Sequence, residues 1–164
     1  MNLYLVAGIN LSTKKQNVIS KELWTCPKCG AQYFQKNLWH SCQKYTVEEF
    51  LEGKSERSIQ LYNYFLNEYK KIGPIILHPL KSRIAFMVKV RFSGVNKLGK
   101  DFIEGAFWLK EKFVSDKFYK IEYIPKDNFI HRFRIYSESD IDKEFLKYMK
   151  MAYFIGERKH ILLK

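Results

Sequence analysis

All three cysteines of the chain stand within residues 26–42, and their spacing, with one histidine, restricts that stretch more than any other feature of the sequence. Cys26-Pro27-Lys28-Cys29-Gly30 places two thiols two residues apart on a tight turn, where Gly30 relieves backbone crowding. His40-Ser41-Cys42 completes the pattern C-x2-C-x10-H-x-C. Zn2+ in structural sites takes four thiolate or imidazole ligands in a tetrahedron, and four such groups are present with no cysteine left over. A closed Cys3His shell offers no position for a reacting water, so Cys26, Cys29, His40 and Cys42 are read as a structural zinc site. A module this short buries too little apolar surface to fold alone, so metal binding would supply its folding energy. Iron accepts the same donors, but the spacing favours zinc; the H-x-C half is the less common one, which makes His40 the ligand least fixed by the pattern. A redox Cys-x-x-Cys pair is the competing reading, and it normally sits in a thioredoxin-like βαβ context that is missing ahead of Cys26.

Clustered cysteines argue against a secreted disulfide framework and for a reducing compartment. Met1–Ile9 is apolar, but it lacks a basic region and ends at Asn10, which is unlike a signal peptide. No run approaches the length of a membrane span. The chain is therefore expected to be cytoplasmic and to have no membrane partner.

Three zones follow from the pattern: an N-terminal extension over 1–22, the zinc-binding module over 23–44, and an α+β domain over 45–164. Hydrophobic residues make up 46% of the 164, with 13 Phe and 11 Tyr, which is enough for a real core. Thr46-Val47-Glu48-Glu49 has the form of a capping box, Gly53 interrupts, and Ser55 offers a second N-cap. Ile59, Tyr62, Phe65, Leu66 and Tyr69 then recur at helical spacing until Gly73-Pro74. The period changes to two in Arg83–Phe92, where the even positions are Ile84, Phe86, Val88, Val90 and Phe92 and the odd ones include Arg83, Lys89 and Arg91; this predicts one strand, followed by a loop over Ser93–Gly99. Further strands are expected at Ile75–His78, Phe102–Leu109, Phe118–Ile124 and Phe129–Tyr136, the last two joined by a turn at residues 125–128. A last helix after Ser137 or Ser139 buries Ile141, Phe145, Tyr148, Ala152 and Ile155 and is capped by Gly156. The expected fold class is α+β: an antiparallel sheet of about five strands, a helix before it, a helix after it, and the zinc knuckle in front.

Charge adds a partner class. With 29 Lys and Arg against 17 Asp and Glu, the net charge is +12, which attracts polyanions. The excess lies mainly in residues 73–136, whereas 46–72 are slightly acidic. If the alternation holds, Arg83, Lys89 and Arg91, extended by Lys81, share a face opposite Phe86 and Val88. Arg132 and Arg134 likewise lie opposite His131 and Phe133. With Trp108 or Tyr136 for stacking, such a face suits single-stranded DNA or RNA. Lys28, Lys36 and Lys44 around the metal site are consistent with this. Solvated faces of antiparallel sheets are also ordinarily rich in Lys and Arg, so the bland reading stays open. His131 lies in an apolar row, where a core histidine is the commoner outcome; His78 and His160 carry no argument. There is no Gly-rich phosphate loop, nucleophile elbow or H-E-x-x-H, so no catalytic residue is assigned.

The combination of Trp24–Gly30 with His40-Ser41-Cys42, then Lys81–Phe86, then His131–Arg134 ahead of a Ser/Asp-led helix, resembles an uncharacterised bacterial family catalogued as a domain of unknown function. The C-terminal half is also similar to domains named "predicted transport protein". The resemblance covers roughly 23–158 and implies a small α+β domain with no established activity. Members of that family carry Asn-Gln before the H-x-C, whereas this chain has Asn37-Leu38-Trp39, a departure that leaves the ligands intact.

Three functions remain open on the sequence. A zinc-stabilised module could bind nucleic acid through the basic face. A small-ligand or anion-binding domain, which would include an enzyme, could use a pocket of Lys81, Arg83, His131 and Arg134. A protein-interaction adaptor would show a large exposed aromatic patch.

Overall fold

The capping signals around residues 46–55 each start a helix. In the computed structural model, which describes residues 23–33, 36–42, 44–126 and 128–159, Thr46 and Glu49 form the reciprocal box: the Glu49 N–H donates to Thr46 Oγ1 (3.1 Å) and the Thr46 N–H to Glu49 Oε2 (2.9 Å). The helix they open, α1 (Val47–Leu51), is short; Ser55 caps a second and longer one, α2 (Glu56–Ile72), by accepting from the Ser58 N–H. Tyr62, Phe65, Leu66 and Tyr69 of α2 are buried as the spacing requires. The extension over 1–22 and His160 lie outside the described residues.

Six strands form one antiparallel sheet among the described residues: β3 (Ile76–Leu80), β4 (Arg83–Met87), β5 (Arg91–Leu98), β6 (Ile103–Leu109), β7 (Lys120–Ile124) and β8 (Asn128–Ile135), in the order β3-β4-β5-β6-β8-β7. Two short strands, β1 (Trp24–Thr25) and β2 (Gln32–Tyr33), pair separately in the metal-ligand module. After β8, a single 3-10 turn at Glu138–Asp140 leads to α3 (Lys143–Gly156), capped by Asp142, whose Oδ1 accepts from the Phe145 N–H (2.9 Å).

The region around residue 90 departs from the sequence expectation. The single strand expected over Arg83–Phe92 is two strands reversing at Val88-Lys89-Val90, and the expected loop at Ser93–Gly99 is most of β5. The alternation hides the turn, because Val88 is buried and Lys89 exposed just as a continuing strand would have them. The turn is held instead by α3: the N–H groups of Lys89 and Val90 both donate to the Gly156 carbonyl (2.9 and 3.1 Å). Ser93-Gly94 resembles a turn but serves close packing. Ser93 is fully buried and its hydroxyl donates to the Ala106 carbonyl (3.0 Å), while a Cβ at Gly94 would stand 2.7 Å from the Ile84 carbonyl oxygen.

One sheet face packs on α2 and α3. Phe65 sits in an aromatic cluster with Phe86 (5.6 Å between ring centroids), Phe133 (5.4 Å) and Tyr69 (5.1 Å), and Phe107 meets Phe133 at 4.6 Å. Phe145, Tyr148 and Ala152 of α3 are buried, Ile155 only partly. The other face is crossed by the paired row His78, Ala85, Gly94, Ala106, Arg132 and Lys120. The β1–β2 module lies over the His78 end of that row, with Tyr33 against His78 (6.2 Å between ring centroids) and the Ser41 hydroxyl donating to the Pro79 carbonyl (3.1 Å).

Candidate metal centre and the cleft beside it

The Cys-x-x-Cys turn lies between β1 and β2. The Gly30 N–H donates to the Cys26 carbonyl (2.9 Å) and the Cys26 N–H to the Ala31 carbonyl (2.8 Å), closing a knuckle that needs Gly30 at φ +72°. Burial by itself would raise the Cys26 thiol, but the backbone N–H groups of Lys28 and Cys29 and the neighbouring thiols outweigh it and bring it down to about 6. That favours the thiolate, the form that binds metal.

The second half of the chain's metal pattern returns His40 and Cys42 to this turn. The ligand atoms of Cys26, Cys29, His40 and Cys42 all lie within 4.8 Å of one another, a grouping that could hold a metal ion. Cys26 Sγ and Cys42 Sγ are 3.9 Å apart, and His40 Nε2 is 3.2 Å from both Cys29 Sγ and Cys42 Sγ. Ideal tetrahedral coordination with sulfur at about 2.3 Å and nitrogen at about 2.0–2.1 Å puts sulfurs about 3.8 Å apart and sulfur about 3.6 Å from nitrogen. These three separations are each within about 0.4 Å of those values, so the group is compatible with one shared tetrahedral ion. His40 Nδ1 lies 2.7 Å from the Leu38 carbonyl oxygen. A carbonyl only accepts, so the proton is on Nδ1 and the Nε2 lone pair is turned to the thiols, the outer-sphere arrangement usual for metal-bound histidine. Tyr33 (4.7 Å) and Trp24 (6.3 Å between ring centroids) wall the imidazole.

Docking this module on β3–β5 creates a cleft of about 490 Å³. The module contributes Trp39, His40, Ser41 and Lys44, with Tyr45 just after it; the sheet contributes Leu80, Lys81, Ser82 and Arg83 at the β3–β4 turn and Arg91 from β5. No carboxylate lines it, and none of its four cations has an ion-pair partner among the described residues. Arg91 is half-buried. Its Nε–H donates to His78 Nδ1 (3.3 Å) and its Nη2 lies 3.1 Å from the same atom. Burial and then the Arg91 guanidinium hold His78 down at about 4, so it stays neutral; burial and then Arg83 lower Arg91 from its ordinary value.

The other expected basic residues lie elsewhere. Arg132 pairs with Glu122, which Lys120 also reaches (2.7 Å), and Arg134 pairs with Glu104 (2.7 Å) while its guanidinium lies over the Tyr119 ring (4.7 Å). Lys89 occupies the β4–β5 turn at the end of α3. Trp108 is half-buried in β6 opposite Ile130. Tyr136 is exposed, with its ring against Phe102 (5.5 Å). His131 is fully buried on the helix face, where its Nε2 accepts from the Phe113 N–H (2.9 Å) and burial lowers its basicity. Lys81, Arg83, His131 and Arg134 thus do not converge: His131 is on the opposite face from the arginines, and Arg134 on β8 is three strands from Arg83 on β4.

The sequence pattern does not single out Trp39 or Tyr45, gives His78 no role, and marks Lys44 only as one of the lysines around the metal site. A signal for the first of them existed, since Trp39 adjoins a metal ligand and is 72% exposed. No helix among the described residues is long and apolar enough to cross a membrane. Comparison of the chain with protein-family models, curated proteins and solved structures gives no match.

Proposed function

We propose that Cys26, Cys29, His40 and Cys42 bind one structural Zn2+, and that the ion holds the module against the sheet so that the two together bind nucleic acid. The donor set supports zinc: three thiolates and one imidazole oriented by a carbonyl make a closed shell for a tetrahedral ion. A reducing cytoplasmic setting keeps the three thiols available to it. Zinc here organises and does not react; it ties Cys26 to Cys42, sixteen residues apart, and so fixes the shape of the module that rests on β3.

The observation that carries the nucleic-acid reading is the cleft, where Lys44, Lys81, Arg83 and Arg91 gather without a carboxylate. Cations gathered in a concave place without a counter-charge, one of them (Arg91) half-buried, favour an incoming anion. This moves the interface from the whole sheet face to one end of it, since Arg132 and Arg134 already have carboxylate partners. The resemblance to the uncharacterised bacterial family supplies no activity and so does not compete with this reading.

Fluorescence anisotropy of labelled DNA and RNA oligomers at several salt concentrations tests it. The logarithm of affinity should fall linearly with the logarithm of salt, and Lys81→Ala or Arg83→Ala should each lower the slope by about 0.7 for a single strand. Lack of binding to any oligomer at low salt, with zinc content and fold intact, removes the proposal.

A further inference from the structure

We infer that the cleft takes one nucleotide of a single strand, with its phosphate on Arg91 and Arg83 and its base stacked on Trp39; this rests on the nucleic-acid reading above and specifies its ligand. Two features point to a phosphate at the sheet side. Arg91 spends Nε and Nη2 on a neutral histidine, so its charge is positioned without being compensated. Arg83 lies near enough to depress it further, so two like charges share one side of the cleft. Like-charged guanidiniums held together, one of them half-buried, are what a phosphate group relieves, through bidentate contacts that a point charge cannot make.

The module side points to a base. Trp39 is the most exposed of the three tryptophans that the structure describes, and it borders the same cleft as the arginines. An indole left in water beside a cation cluster is a stacking platform, and every base has a face to offer it. A cleft of about 490 Å³ has room for one nucleotide. In a duplex the base faces are already stacked on one another and are not available to Trp39, so the arrangement selects single strands.

The test uses the zinc-loaded full chain with four probes of equal phosphate number: a single-stranded DNA oligomer, the RNA of the same sequence, a blunt hairpin duplex, and an abasic DNA oligomer. The expected result is at least about tenfold tighter binding of the single strands than of the duplex or the abasic strand. Trp39→Ala should abolish the gap between normal and abasic strands, Trp39→Phe should keep most of it, and Arg91→Gln should weaken all four probes. Equal affinity for normal and abasic strands by the wild type overturns the inference while leaving nucleic-acid binding in place. Failure of every probe to bind removes both. Should Trp39→Ala lose its metal, the normal-against-abasic comparison on wild type and Trp39→Phe decides the matter.

Discussion

His78 Nδ1 accepts the Arg91 Nε–H across 3.3 Å, joining β3 to β5 beneath the metal-ligand module. The acceptor has to be an unprotonated nitrogen, so the geometry and the low basicity of His78 agree. The His78 ring is 1% exposed and pairs with Arg91 where a carboxylate would have cancelled the charge.

Replacing His78 with Leu strands the Arg91 donors and should cost roughly 1–3 kcal/mol at neutral pH. The cost should depend on pH. His78 has a folded value near 4 and an unfolded value of about 6.5, so the unfolded chain takes up the proton first. Its contribution is complete above about pH 6.5 and declines as the pH falls toward 4. Urea unfolding of both proteins between pH 7 and 4.5 checks this, because metal release is common to both and cancels in the difference. Parallel curves would show that His78 does not titrate as described.

Metal analysis of the purified protein should find about one zinc per chain. Cys26→Ser or Cys42→Ser should lose the ion and open the module, seen as faster amide exchange at Gly30 and Lys44, whose N–H groups donate to the Cys26 and Ser41 carbonyls. A zinc-free protein with Cys26 and Cys29 joined as a disulfide would sink the zinc assignment.

Gly94→Ala separates a strand from a loop at this position. In β5 the added Cβ meets the Ile84 carbonyl at 2.7 Å, so β4 and β5 must move apart. A loss of roughly 1–3 kcal/mol is expected, against little or no change in an exposed loop. Thermal unfolding of the variant measures it.

Phe133→Ala removes a ring that packs on Phe65, Phe107 and Phe145 together. The expected cost is about 3–5 kcal/mol, a large part of the stability of a domain this size. Retention of the wild-type midpoint in denaturant would contradict the placement of this core.

Arg132→Ala and Arg134→Ala should change the salt slope of oligomer binding much less than Arg83→Ala does. Their carboxylate partners already neutralise them, and freeing Glu122 or Glu104 would add a negative charge rather than expose a phosphate site. A drop in slope equal to that of Arg83→Ala would return the interface to the whole sheet face.

What the sequence determined by itself is whatever depends on local spacing. The Cys26–Cys29 knuckle, the Thr46–Glu49 box, the Ser55 cap and the buried stripe of α2 all follow from residues within one or a few turns of each other, where backbone geometry sets which groups can meet. The helix-facing row of β4, Ile84 and Phe86, was legible for the same reason, although Ala85 and Met87 on its other face are buried as well. The reversal at Val88-Lys89-Val90 was not, because a turn that keeps the alternation leaves no mark in the pattern, and its holding contacts come from Gly156, far along the chain. The fate of the arginines was likewise a tertiary matter. Arg83, Arg91, Arg132 and Arg134 share one sheet face as the period required, yet two meet Glu122 and Glu104 across strands and two meet the metal-ligand module. Charge on a face is local information, but compensation of that charge depends on which distant side chains the fold brings within a few ångströms. Coulomb attraction falls off over that range, so only the folded structure decides which cations stay available to a ligand.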